Sequence, residues 1–378
     1  MKKHLKRTLC LLLSLAMVLA LAACSSGGTT PGGTSQPSSD TSQPAGSSSD
    51  SSAPAPSTEG EKIIYTNGGP GEFFETPWLN PGTYMYNKTV YAHLIVADAD
   101  LNPIQDHPDA LASYEYSEDG KTLTFTLRDD AYWHDGEKVT PEDIKWSIEY
   151  VSKTSVINSV FLSTFKAIEG AVDAEGNIND TFSGIVIDGQ KIVISFAGIA
   201  PDALLTFTQF APVPQKYFAG VDPLQVQQAD YFQHPIGSGP YKMVEWNPSD
   251  SVKLEAFDEY FMGKPATKNL VMKVIPEAAQ RVIALEMGEV DIAYSIEAND
   301  VSKIDDTPDL VKYAQPSMTC FNYFFNLADA DRPTYDLKVR QAICYAIDRQ
   351  KIIDTILHGS ATLADGMIAP IVACYTPT

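Results

Sequence analysis

The sequence predicts an α/β fold long enough for two domains, and three observations carry that expectation. Residues 123–127 alternate Leu123, Phe125 and Leu127 with Thr124 and Thr126, the period of a strand with one buried face. Thr140, Pro141, Glu142 and Asp143 then read as the start of a helix: a hydroxyl at the N-cap, proline at the first helical position, and acids in the first turn. The helix continues through Ile144, Ser147, Ile148 and Val151 at helical spacing. Finally, the chain has 378 residues, enough for two cores, and its 44% hydrophobic and 20% charged content is that of an ordinary globular protein. Turns at Asp119-Gly120 and at His134-Asp135-Gly136 bracket the strand, and His134 is expected to face solvent. Strand, turn and capped helix form a scaffold with no catalytic group in it.

The first 60 residues are of a different kind. Lys2, Lys3, Lys6 and Arg7 form a basic start, and residues 9–20 form an apolar run too short to act as a stop-transfer span. Leu21-Ala-Ala-Cys24 matches a bacterial lipobox. The chemistry there needs a thiol, because sulfur takes a diacylglyceryl group before cleavage exposes the amine. Residues 1–23 are therefore expected to be a lipoprotein signal peptide, with Cys24 as the lipidation site. Several acyl chains make a stable anchor, so the mature protein is expected on the extracellular face of the cell membrane, or in the periplasmic space where an outer membrane exists. Residues 24–60 continue as Ser, Gly, Thr and Pro with almost nothing apolar to offset ordering entropy, and are expected to be a disordered tether. Losing the signal removes four of 27 basic residues and no acidic ones, leaving 23 against 48, or −25. That charge argues against nucleic acid as a partner.

The remaining cysteines are Cys320, Cys344 and Cys374, none in a C-x-x-C pair and with no histidine beside Cys320 or Cys344, so no metal site is expected. Cys344 reads as a small buried hydrophobe inside a helix, and a disulfide among the three stays open.

The globular part opens with a strand at residues 62–66, then Pro77-Trp-Leu-Asn-Pro81, Tyr84, Tyr86 and Tyr91. Residues 191–196 alternate as another strand. In Pro235-Ile-Gly-Ser-Gly-Pro-Tyr241, Gly237 and Gly239 permit positive φ and close backbone approach, and Tyr241 enters a strand. Residues 270–276 read as a buried strand, followed by a helix over 277–287 with Ala279, Val282, Ile283 and Met287 on one side. Glu289 and Asp291 are turn and cap residues rather than a catalytic pair. Residues 321–326 read as a strand. Asp336 caps a helix in which Val339, Ala342, Ile343 and Ala346 bury a face; Asp348 restarts a second helix, and Gly359 ends it.

Three of these stretches carry a resemblance. Residues 114–144, the Pro235–Trp246 run and the Asp336–Ile353 run resemble the motifs of the peptide-type (family 5) bacterial extracellular solute-binding proteins, receptors of ABC importers for oligopeptides, dipeptides and, in some branches, nickel. The resemblance covers essentially all of residues 63–377. It implies a two-lobed periplasmic-binding-protein-like fold of type II, with a first lobe over 61–270 bearing an inserted subdomain and an incomplete second lobe over 271–378. It also implies a monomer that closes on peptide or another small solute and presents it to ABC permease and ATPase subunits.

In the family, side chains soon after a Leu-Asp-Pro triplet face the ligand; Asn80 replaces that aspartate here, and Tyr84 and Tyr86 are the nearest counterparts. Half-buried packing serves equally well for these tyrosines. The aromatic after Gly-Pro lines the pocket in the family, which points to Tyr241. The resemblance places the residues that anchor peptide termini largely beyond Thr378. No cofactor is expected. A secreted hydrolase is disfavoured because neither Gly-x-Ser-x-Gly nor His-Glu-x-x-His occurs. A lipid-anchored signalling or adhesion module that keeps the fold without transport stays as the second reading.

Overall fold

The computed structural model describes residues 61–66, 77–78, 84–98, 101–154, 157, 159–247, 250–314, 320–364 and 366, with backbone alone at 61–66 and 84–85. The signal peptide, Cys24, the tether and Cys374 lie outside the described residues.

Sequence alternation builds an antiparallel sheet first. β4 (Ala112–Tyr116), β5 (Thr122–Leu127), β6 (Ile185–Asp188) and β7 (Lys191–Ser195) pair in the order β4-β5-β7-β6. Leu123, Phe125 and Leu127 point into the core, as the period-2 pattern requires. Phe125 meets Phe207 edge to face at 4.9 Å. Before this sheet, β2 (Val96–Ala97) and β3 (Pro103–Ile104) make a short hairpin. α2 (Pro141–Val151) covers the β6–β7 edge of the sheet. Its start is a capping box: Thr140 Oγ1 accepts from the Asp143 amide at 3.2 Å, and Thr140 N donates back to Asp143 Oδ2 at 3.2 Å. Ile144, Ile148 and Val151 are buried as expected, and Ser147 Oγ both donates to and accepts from the Val213 backbone at 2.9 and 3.0 Å. α3 (Ser159–Lys166) and α4 (Ala203–Phe207) add Phe165 and Phe207 to the same core.

The second sheet is mixed, in the order β1-β10-β9-β8, with β1 (Glu61–Thr66), β8 (Tyr241–Asn247), β9 (Ser251–Ala256) and β10 (Asn269–Val274). β1 runs parallel to β10, with Thr66 beside Val274, so both strands leave the sheet at one end; β8, β9 and β10 are antiparallel neighbours. α1 (Tyr84–Val90) packs on β8. One hydrophobic core runs from Trp78 to Val274 and joins both sheets.

Beyond β10 the packing changes. α5 (Ala278–Glu286), α6 (Val301–Asp305), α7 (Leu337–Ala346) and α8 (Arg349–Thr355) follow, and their buried residues, Val282, Ala284, Ile304 and Ile353, lie outside the main core. Arg281 fastens this region to the strand exit: its guanidinium donates to the carbonyls of Ile275, Pro276 and Ser295 at 3.2, 3.1 and 3.0 Å.

Four expectations are corrected here. In α5, Val282 is buried, but Ile283 and Met287 are exposed, because the helix rests on the Arg281–Val282–Ala284 side. Residues 321–326 form no strand: no described strand lies beside them to accept a hydrogen-bond ladder, and Phe321 and Phe324 are exposed. α7 is capped by Asp336, which accepts from Lys338 N at 2.7 Å, but it buries no residue; Ala342 and Ala346 are exposed, and Val339 and Ile343 only half-buried. Cys344 is exposed and, like Cys320, a free thiol. In α5 and α7 the helix periodicity was legible; the surface that covers a face was not.

Candidate functional site

In open α/β sheets, ligands collect outside the carboxyl ends of parallel strands. Here that end is where Thr66 and Val274 leave the mixed sheet, toward α1 and α5 respectively. α1 runs antiparallel to β8. Tyr86 sits over Met243, with Oη 3.6 Å from Sδ, while Val90 at the last turn lies over Gly239, whose amide donates to the Val90 carbonyl at 2.9 Å. The first residue of α1, Tyr84, is thus carried toward the open end of the sheet; its side chain lies outside the described residues.

Tyr86 is buried, and burial pushes its hydroxyl pKa well above the ordinary value. Tyr241 begins β8 beside Ala256 and next to the start of β10, a strand length of roughly 20 Å from Asn247 at the open end. The residue is 9% exposed, and its hydroxyl donates to the Thr267 carbonyl at 3.0 Å. The structure therefore brings Tyr84 and Tyr86 onto one helix and sets Tyr241 at the opposite end of the strand beneath it.

What holds α1 in place was largely invisible in the sequence. Gly237 and Gly239 have no positive φ; their requirement is space. A Cβ on Gly237 would stand 1.9 Å from the Val90 carbonyl oxygen, and one on Gly239 would stand 2.7 Å from the Thr89 oxygen. The expectation of close approach holds, and that of positive φ is corrected.

His134 is corrected as well. It does not face solvent but clamps this glycine segment: its amide donates to Gly237 O at 2.8 Å, its Nδ1 accepts from Gly237 N at 3.2 Å, and Nε2 lies 3.0 Å from Gly239 O. An accepting Nδ1 fixes the neutral tautomer with the proton on Nε2, donating to Gly239. The ring meets Phe257 edge to face at 5.0 Å. Desolvation dominates the electrostatics and lowers the His134 pKa to about 4, with Lys242 adding to the effect and the Gly239 carbonyl and Asp135 opposing it.

The same hairpin reaches a third segment. Lys216 Nζ bridges Asp135 and Glu137 at 2.8 Å each, and the Tyr217 hydroxyl donates to Asp135 at 2.7 Å. Trp78 Nε1 and Ser238 Oγ are buried without a hydrogen-bond partner among the described residues. An open recess of about 510 Å³ lies on the other side of the hairpin, lined by Trp133, Trp146, Tyr150 and Phe218. Its carboxylates are already engaged, Glu137 with Lys216 and Asp143 with Thr140 and the Gln215 amide, so it is a feature of the scaffold. Among the described residues, no group of three or more His, Cys, Asp or Glu could hold a metal, and no helix is long and apolar enough to cross a membrane.

This arrangement, a mixed sheet and an antiparallel sheet sharing one core, is the mixed α/β fold of the periplasmic binding proteins. The oligopeptide-binding protein AppA of Bacillus subtilis, solved with a nonapeptide, superposes with a TM-score of 0.69 at 21% identity, over 84% of this chain and 59% of that one. Residues 107–378 match the model for bacterial extracellular solute-binding proteins, family 5 middle. The chain belongs to that family, a family of solute-binding proteins rather than enzymes. Similar relatives include the nickel-binding periplasmic protein of Escherichia coli, 28% identical over 78% of this chain and 54% of its own length. The dipeptide-binding protein of Escherichia coli is 23% identical over 85% of this chain and 60% of its own. The chain spans about half to three fifths of the length of the curated relatives it matches.

Proposed function

We propose that the protein is the peptide receptor of an ABC importer, held at the extracellular face of the cell membrane by lipid on Cys24 and a tether over residues 24–60. The family membership over residues 107–378 carries this reading, and the peptide-binding names among its relatives favour peptide as the solute. In this reading residues 61–270 form the first lobe with its inserted subdomain, and 271–378 belong to a second lobe. Solute is held at the end of the mixed sheet where Thr66 and Val274 depart. Tyr84, the first residue of α1, is the candidate contact at that end, and the buried Tyr86 and Tyr241 hold α1 in place from beneath. Lobe closure on solute would present the closed form to the permease.

The nickel-binding relative keeps a second solute open. Equilibrium titration of the native protein taken from its own membranes with a defined pool of tri- to pentapeptides, and separately with the nickel–histidine complex, separates the two. The peptide reading predicts saturable peptide binding and no nickel–histidine binding; the reverse pattern overturns it. A chain that binds neither would instead fit a lipid-anchored module that has kept the fold without transport.

A further inference from the structure

The hairpin at 132–138 and the glycine segment at 235–240 are about a hundred residues apart in sequence, yet meet through three contacts from one residue. The His134 amide and both of its ring nitrogens engage Gly237 and Gly239. The glycine segment is the seat of α1: Gly239 N donates to Val90 O, and no side chain larger than hydrogen fits between Gly237 and that carbonyl. Tyr231, whose hydroxyl donates to Ile236 O at 2.8 Å, and Phe257, whose amide donates to Pro240 O at 2.8 Å, hold the segment on its other sides through one bond each.

We propose that His134 is a positioning residue for the solute site: by bonding both Gly237 and Gly239 it fixes the seat of α1 and hence the place of Tyr84 and Tyr86. The consequence for solute rests on the function proposed above; the latch itself does not. The imidazole is unusual among side chains in offering an acceptor and a donor on opposite sides of one rigid ring, which the two glycines require. The charged groups around the ring are Lys242 on β8 and Asp135 on its own hairpin, and neither bonds either ring nitrogen. Protonation of Nδ1 would replace the acceptor with a donor facing the Gly237 amide, so acid opens the latch at that bond. Burial holds the ring neutral until the pH falls toward about 4.

The test compares wild type, His134→Ala and His134→Gln by amide hydrogen exchange, reported as protection factors, and by titration with the same tri- to pentapeptide pool. Gln keeps a donor for Gly239 and has no proton to gain. In His134→Ala, protection at Gly237 and Gly239 falls by about tenfold or more, the scale of one lost hydrogen bond, while Phe125 and Ile192 in the antiparallel sheet keep theirs. Peptide affinity falls by a similar factor in His134→Ala and is largely restored in His134→Gln. Between pH 6 and 4, Gly237 protection declines in wild type and stays flat in His134→Gln. Unchanged glycine protection in His134→Ala, or an equal loss at Phe125 and Ile192, overturns the latch. An opened latch with unaltered peptide affinity overturns the positioning role. Absence of peptide binding by wild type counts against the proposed function alone, because the exchange result still decides the latch.

Discussion

One buried and one half-buried histidine, His93 and His134, set how this protein responds to acid. His93 Nδ1 donates to the Thr208 carbonyl at 2.8 Å, and desolvation lowers its pKa to about 4, the same value as His134. Both folded pKa values lie below the unfolded value of about 6.5, so between pH 6.5 and 4 the unfolded chain binds more protons. Stability is full above the unfolded value and is lost as pH falls through that window, by up to about 3 kcal/mol per histidine. Thermal unfolding from pH 7.5 to 4 should show the decline, and His134→Gln should remove roughly half of it; a melting temperature flat across the window would contradict this. Ser147 gives a prediction independent of pH. Ser147→Ala leaves the buried Val213 N–H and C=O each short of a partner, at a cost of about 2–3 kcal/mol in urea unfolding.

At the scale of elements, what could be read in the sequence was what depends on neighbours in sequence. The Thr140 N-cap, the Leu123–Phe125–Leu127 face and the Asp336 cap are local, and each formed as expected. The partners of His134 and the faces of α5 and α7 depend on surfaces distant in sequence, and these were missed. The glycines divide in the same way. Gly136 has φ +86° and open space around it, so Gly136→Ala meets only backbone strain of about 1 kcal/mol. Gly237→Ala drives a methyl into the Val90 carbonyl, and the α1 seat must shift, at about 3 kcal/mol or more. Urea denaturation of the two variants should rank Gly237→Ala well below Gly136→Ala. The opposite order would mean that α1 is not seated on this segment. Of the candidate contact residues, motif order marked Tyr84, Tyr86 and Tyr241, whereas the helix that carries the first two and the end of β8 on which Tyr241 falls follow from the fold.

For the whole molecule, the division at Val274 has an energetic meaning. One core runs from Trp78 to Val274, while the elements beyond it share few buried side chains and leave Tyr313, Phe321 and Tyr345 exposed. Local opening is easiest where buried contacts are few, so amides of α7 and α8 should exchange faster than those of β5 and β7. Equal protection in the two regions would contradict that division.

Native mass spectrometry of the protein taken from its own membranes reads the lipid on Cys24 and any captured peptide in one experiment. A lipid-anchored peptide receptor should appear as a chain beginning at Cys24 with acyl groups attached, together with bound species that release short peptides on denaturation. A protein without lipid on Cys24, or one whose bound species is nickel or nothing at all, would contradict it.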